Sequence, residues 1–152
     1  MKKHAQRGVT LIEMLIVVTI IAAVAGVSAP ALTSGLDSLR LSTASGTASS
    51  FLTAAMNRVE RREEAAAIVI APATNLVAVY TAKSGEKPAQ TLALPQGIHV
   101  DGEEARRYVM FPGGTMPAVK LVLRNDKGAR RSITIDPITG VPEVKRVDGS
   151  SK

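Results

Sequence analysis

The apolar positions of this chain follow two different patterns. From Val9 to Ala29 the sequence is apolar almost without interruption. At about 1.5 Å of rise per residue, a helix of this length reaches roughly 30 Å, which is the thickness of the hydrocarbon core of a bilayer. The first pattern therefore predicts a membrane-spanning helix over residues 9–30.

Beyond residue 30 the apolar positions become sparser and recur at helical spacing. This spacing predicts that an amphipathic second half continues the helix over residues 31–65. Pro30 lacks a backbone donor and clashes with the preceding turn, so a bend or local opening of the helix is predicted around it. The residues of the predicted apolar face are Leu32, Leu36, Leu39, Ala48, Leu52, Ala55, Met56 and Val59.

From residue 66 onwards the pattern is that of β-strands. Val119, Leu121 and Leu123 alternate with other side chains, which predicts a strand with one buried face. Two β-branched runs, 68–70 and 76–81, flank turn residues and predict a hairpin. Further strands are predicted near 90–94, 97–100, 107–111, 132–136 and 141–147. The chain is thus predicted to be α+β, with a long N-terminal helix packed on a β-rich, mostly antiparallel head at 66–152.

Glu13 is the single carboxylate in the first apolar run. An ionised carboxylate inside a bilayer costs on the order of 2.5 to 3.5 kcal/mol and is rarely kept without a partner. The alternative is that Glu13, five residues into the run, extends to the interface and is solvated there. Physical arguments alone leave both interpretations open.

The composition argues against catalysis. The chain has no cysteine, which excludes disulfides, zinc–thiolate sites and thiol nucleophiles. His99 lies near Asp101, Glu103 and Glu104, but this spacing matches no metal-ligand pattern, and an exposed loop is the preferred interpretation. We expect no enzymatic activity, no metal and no cofactor.

The formal net charge of +6 is unevenly distributed. Lys2, Lys3 and Arg7 precede Gly8, and they should hold the N-terminus on the cytoplasmic side of a membrane. The rest of the chain has 16 basic and 13 acidic residues.

Many of these basic residues lie in the last third of the chain, where they could contact the phosphates of a nucleic acid. The interspersed acids and the lack of aromatic residues after Phe111 favour a solvated face instead. The candidate contacts are Lys120, Arg124, Lys127, Arg130, Arg131, Lys145 and Arg146.

The charged run from Glu60 to Glu64 is interpreted most simply as the solvated end of the long helix. Opposite charges at helical spacing are expected to compensate one another there. An interaction site in this run is the alternative interpretation.

The residues around Gly8 resemble the prepilin signature of type IV pilins and type II secretion pseudopilins. Arg7-Gly8-Val9-Thr10-Leu11-Ile12-Glu13, followed by the apolar run, carries this resemblance. It implies that prepilin peptidase cleaves after Gly8, removes a leader of residues 1–8 and methylates Val9. It also implies that Glu13 compensates the N-terminal amine of a neighbouring subunit. Val9 departs from the family, which usually has Phe at this position, whereas Pro30 lies where the family commonly has a helix-kinking proline.

The second half of the chain resembles the heads of GspH/FimT-type minor pseudopilins. The resemblance lies in Phe111-Pro-Gly-Gly, Asn125-Asp-Lys-Gly, Ile133-Thr-Ile and Thr139-Gly140. It implies a two-sheet head and a structural subunit that is held in the bacterial inner membrane with the head in the periplasm, then assembled into a pilus or pseudopilus. The partners it implies are other subunits, prepilin peptidase, the inner membrane and secreted cargo. Some FimT-like proteins take part in DNA uptake, which makes a DNA-binding minor pilin the alternative function.

Overall fold

A computed structural model describes residues 9–147, apart from the side chains of residues 27–34. In this range one helix precedes eight strands and two short 3₁₀ helices, Pro72–Thr74 and Ala82–Ser84. The helix is α1 (Leu11–Arg62), and the strands are β1 (Ala66–Ala71), β2 (Leu76–Thr81), β3 (Gln90–Thr91), β4 (Ile98–Val100), β5 (Arg106–Met110), β6 (Lys120–Asn125), β7 (Arg130–Ile135) and β8 (Pro142–Val147).

The strands form two four-stranded sheets with the orders β3-β2-β1-β5 and β4-β6-β7-β8. Every pair of neighbouring strands in these sheets is antiparallel. The chain crosses to the second sheet at β4, returns to the first at β5 and then completes the second. The predicted α+β class, the two-sheet head and the hairpin of β1 and β2 are confirmed.

One contiguous hydrophobic core joins α1 to both sheets. The second half of α1 contributes a stripe at helical spacing, as its periodicity predicted. Alternating residues of β6 and β7 point into the same core, among them Leu121, Leu123 and Ile133. The buried residues of the helical stripe are Leu41, Ala44, Ala48, Leu52, Ala55, Met56 and Val59.

The prediction of the apolar face of α1 is wrong for Leu36 and Leu39. Leu36 and Leu39 are 54% and 65% exposed, and the buried stripe starts at Leu41 instead. The core includes only the turns of α1 from Leu41 to Val59. Leu36 and Leu39 precede these turns and stay exposed although they are apolar. Leu32 lies outside the side chains that the structure describes.

The chain divides into two compact units, one up to Leu36 and the other from Asp37 onwards. In the first unit the large apolar side chains from Leu11 to Ile21 are exposed. Among the residues described, no helix meets the length and apolarity that a membrane crossing requires. The membrane span predicted over residues 9–30 is therefore not confirmed.

Helical backbone is assigned throughout α1, so the local opening predicted around Pro30 is not observed. The side chain of Pro30 lies outside the described residues, and the predicted bend there stays a prediction.

Asn75 connects the two sheets through its side chain. The Asn75 carboxamide accepts a hydrogen bond from the Val100 backbone N–H at 2.7 Å and donates one to the Ile98 carbonyl oxygen at 3.2 Å. Asn75 has a left-handed backbone conformation, which asparagine tolerates better than most residues. The β1–β2 turn is thereby fastened to β4 of the other sheet.

We predict that Leu52→Ala destabilises the chain by about 2 to 5 kcal/mol, because it empties a fully buried position between helix and sheets. The exposed Leu39→Ala is the matched control and should change stability by no more than about 0.5 kcal/mol. Urea unfolding of the full chain, followed by circular dichroism, measures both. Equal effects of the two substitutions would contradict the core described here.

Candidate functional site

The N-terminal part of α1 begins with a side-chain cap. The Glu13 backbone N–H donates to the Thr10 hydroxyl oxygen at 3.3 Å, and the Thr10 carbonyl oxygen accepts from the backbone N–H groups of Glu13 and Met14. Thr10 therefore satisfies amide groups that the first helical turn leaves unpaired. Sequence reasoning missed this role, although the Thr-x-x-Glu spacing of a capping box was present.

Glu13 is the third residue of α1 and its side chain is exposed. The positive end of the helix dipole favours a carboxylate at this position. Within residues 9–147, the structure gives the Glu13 carboxylate no hydrogen bond or ion pair. The neighbouring apolar side chains of the helix are also exposed.

The other predicted processing residues are only partly described. Val9 is exposed at the start of the described range, whereas Gly8 lies outside it. The geometry therefore tests neither cleavage after Gly8 nor methylation of Val9, and both stay predictions.

The predicted basic contacts of the head are largely paired with carboxylates. Arg124 and Arg130 face each other across β6 and β7, and both contact Asp101, with Nε–Oδ distances of 3.5 and 2.9 Å. Lys145 pairs with Glu143 at 2.8 Å on the same strand. These carboxylates offset much of the positive charge that sequence reasoning assigned to the surface.

Lys127 lies in the β6–β7 turn and pairs with Asp37 of α1 at 2.8 Å. The hydrogen bond from Lys127 lowers the pKa of the Asp37 carboxyl below its ordinary value of 3.8, with a smaller contribution from Arg40. This contact connects α1 to the head one turn before its buried stripe begins at Leu41.

Three predicted basic contacts have no carboxylate partner in the described part of the chain, namely Lys120, Arg131 and Arg146. Arg131 and Arg146 are directly opposite each other on β7 and β8, where like charges are unfavourable. Neighbouring side chains of a strand point to opposite faces, so Arg131 and Arg130 do not share a surface. The predicted basic stripe is therefore divided between two faces.

The remaining polar motifs have structural partners. His99 Nε2 contacts Asp126 Oδ1 at 2.9 Å in an exposed position. The Gly113 backbone N–H donates to Glu60 Oε1 at 3.2 Å, and Gly113 has the positive φ of a tight turn. Over the residues that the structure describes, no three His, Asp or Glu side chains are grouped to hold a metal ion.

Comparison with known families supports the interpretation of the N-terminus. A family model described as the prokaryotic N-terminal methylation motif matches residues 3–29. The chain thus carries the signal of type IV pilin-like prepilins, and this motif implies a pilin- or pseudopilin-like subunit that prepilin peptidase processes. No curated protein and no solved structure matches the chain. The finer resemblance to GspH/FimT-type heads is not confirmed by these comparisons.

We predict that Lys127→Gln raises the pKa of Asp37 towards the ordinary value of 3.8, because it removes the main cause of the lowering. A carboxyl whose folded pKa is lowered stabilises the fold above its unfolded pKa, and this contribution is lost as pH falls through the folded pKa. The wild-type chain should therefore lose stability below about pH 3.8 more steeply than the variant.

A carbon-detected NMR titration of the aspartate carboxyls measures this shift. Asp136 is the internal control, since backbone N–H groups of Thr139 and Ile138 lower its pKa independently of Lys127. An unchanged titration of Asp37 in the variant would contradict the assigned contact.

Proposed function

We propose that this chain is a non-enzymatic structural subunit of a type II secretion pseudopilus or a type IV pilus, of the GspH/FimT-type minor class. The observation that carries the proposal is the N-terminal methylation motif at residues 3–29. The α+β head with two antiparallel sheets supports the finer assignment, since the resemblance in the second half of the sequence implies such a head.

Assembly in this proposal depends on the first turns of α1. Prepilin peptidase cleaves after Gly8 and methylates Val9, and the precursor is held in the inner membrane with its head in the periplasm. The exposed apolar side chains between Leu11 and Ile21 then exchange lipid for contacts with the helices of neighbouring subunits. The head is left to contact other subunits or secreted cargo.

Glu13 sets the vertical position of each subunit in this mechanism. Away from water, a carboxylate needs a partner of opposite charge, and the N-terminal amine of a neighbouring subunit provides one. A subunit displaced along the filament axis would leave both charges unpaired. The absence of a partner for the Glu13 carboxylate within the described chain supports this role.

We predict that Glu13→Ala leaves membrane insertion and processing intact but reduces incorporation into filaments. Glu13→Asp keeps the charge and is the matched control, which should retain more incorporation. The amounts of chain in sheared filaments and in membranes measure assembly, and mass spectrometry of the mature N-terminus shows whether Val9 is methylated. Wild-type incorporation of Glu13→Ala would exclude the role of Glu13, and an intact Met1 in the wild type would exclude prepilin processing.

A DNA-binding minor pilin is the second candidate function. The observation that favours it is that Arg131 and Arg146 have no carboxylate partner among residues 9–147. The carboxylate partners of the other predicted basic contacts argue against a strong site. Nucleic-acid affinity falls with salt in proportion to the number of phosphates that a protein neutralises.

We predict weak DNA binding at most. Arg131 and Arg146 share one face and have no carboxylate partner in the described chain, so they give a slope of log affinity against log salt of about −1.8, whereas all seven predicted contacts would give about −6.3. Arg131→Ala with Arg146→Ala should abolish the binding that remains, and Arg124→Ala with Arg130→Ala is the matched control. Mobility shifts of the purified full chain at several salt concentrations measure this. Submicromolar binding with the steeper slope would make DNA binding the better interpretation.

A further inference from the structure

Three arginines line a cleft beside the C-terminal end of α1. Arg58, Arg61 and Arg62 are three and four residues apart, so they share one side of the helix, and the cleft has a volume of about 350 Å³. Asn57 and Gln90 add polar groups to it. Like charges at this spacing repel one another, so the cleft concentrates positive charge at a cost in stability.

No neighbouring acid forms an ion pair with the arginines of this cleft in the described chain. Glu60 accepts from the Gly113 backbone N–H. The Glu64 carboxylate accepts from the Lys83 backbone N–H and pairs with the Lys83 ammonium group. Across residues 9–147, no ion pair or hydrogen bond is made by the three arginine side chains. Residues 60–63 are exposed, as expected for the solvated end of the helix, but no ion pair joins the charges of Glu60 to Glu64 in the described chain.

The helix dipole accounts for only part of this arrangement. It favours cations within the last turn of a helix, which covers Arg61 and Arg62. Arg58 lies further from the end and is half-buried. No aromatic side chain lines the cleft on which a base could stack, so carboxylates of a protein fit it better than a nucleic acid.

Two unpaired acids lie at the other end of β1. Within the described chain, Glu103 and Glu104 form no ion pair, and they are exposed in the loop between β4 and β5. A Cβ atom on Gly102 would lie 3.3 Å from Pro72 Cγ, which places this loop beside the residue that follows β1. β1 itself starts four residues after Arg62 and is six residues long, or about 20 Å. The acidic loop and the basic cleft therefore lie at opposite ends of β1.

We propose that the cleft of Arg58, Arg61 and Arg62 binds the Glu103–Glu104 loop of a second copy of this chain. Arginine and carboxylate groups form the strongest charged hydrogen bonds in proteins, often in pairs. A contact between two different surfaces leaves a free cleft and a free loop on every pair, so it can be repeated along a filament. This inference rests on the proposed function, because assembly brings the heads together.

Cysteine cross-linking tests the contact in the full-length chain, which has no cysteine of its own. Two differently tagged copies are produced in one bacterium, one with Arg62→Cys and the other with Glu104→Cys. Because a disulfide requires Cα atoms within about 7 Å, a mixed disulfide is expected only if cleft and loop meet. Ile138→Cys in place of Glu104→Cys is the matched control, since Ile138 is 92% exposed and lies in another turn.

Charge reversal tests the chemistry of the same contact. Adding Arg61→Glu to the Arg62→Cys copy should abolish the mixed disulfide, and adding Glu103→Arg to the second copy should restore it. Resistance of each variant to proteolysis shows that loss of the disulfide does not come from unfolding. Salt screens exposed ion pairs. Copies that keep the wild-type charges should therefore form less mixed disulfide at high ionic strength.

Three results would overturn the contact: equal cross-linking to Ile138→Cys, a charge reversal without effect, or no mixed disulfide in processed chain. The mature N-terminus is measured by mass spectrometry in the same samples. A chain that is cleaved and methylated at Val9 but not cross-linked excludes this contact alone. A chain that is never processed excludes the proposed function and the contact that depends on it.

Discussion

The apolar stripe of α1 between Leu41 and Val59 is the interaction on which the head depends. The two sheets share no strand pair, and their inner faces are covered by one core that contains this stripe. Ala44, Ala48 and Ala55 are buried in the stripe, so small side chains make up much of what the helix contributes to the core. A disturbance of α1 in this region would expose both sheets at once.

The sheets are also joined where the chain alternates between them. β4 and β5 belong to different sheets although they are adjacent in sequence, and Asn75 adds hydrogen bonds from the β1–β2 turn to β4. Lys127 connects the β6–β7 turn to α1 through Asp37. The hydrophobic effect that holds the core is non-directional. The hydrogen bonds at the sheet ends and the ion pairs at the surface add contacts with a defined geometry.

Local patterns in the sequence predicted the elements well, but they could not predict which side chains would meet. Alternation identified β6 from Val119, Leu121 and Leu123, and the motif around Gly8 needed no tertiary information. Leu36 and Leu39 are three residues apart, as are Leu41 and Ala44 of the buried stripe, yet both are exposed. The pairing of Asp101 with Arg124 and Arg130 could not be predicted either, because the acid lies on a different segment that only the fold brings close.

Only the fold shows which charged side chains have an ion-pair partner and which have none. Exposed ion pairs stabilise a fold little. The main effect of the ion pairs on the head is therefore to reduce the net positive charge of its surface. Among residues 9–147, Glu13 and the arginines at the end of α1 have no such partners; Glu13 lies on an exposed apolar helix, and the arginines line a shallow cleft. In the proposed filament, neighbouring subunits supply the partners that these groups do not have among residues 9–147.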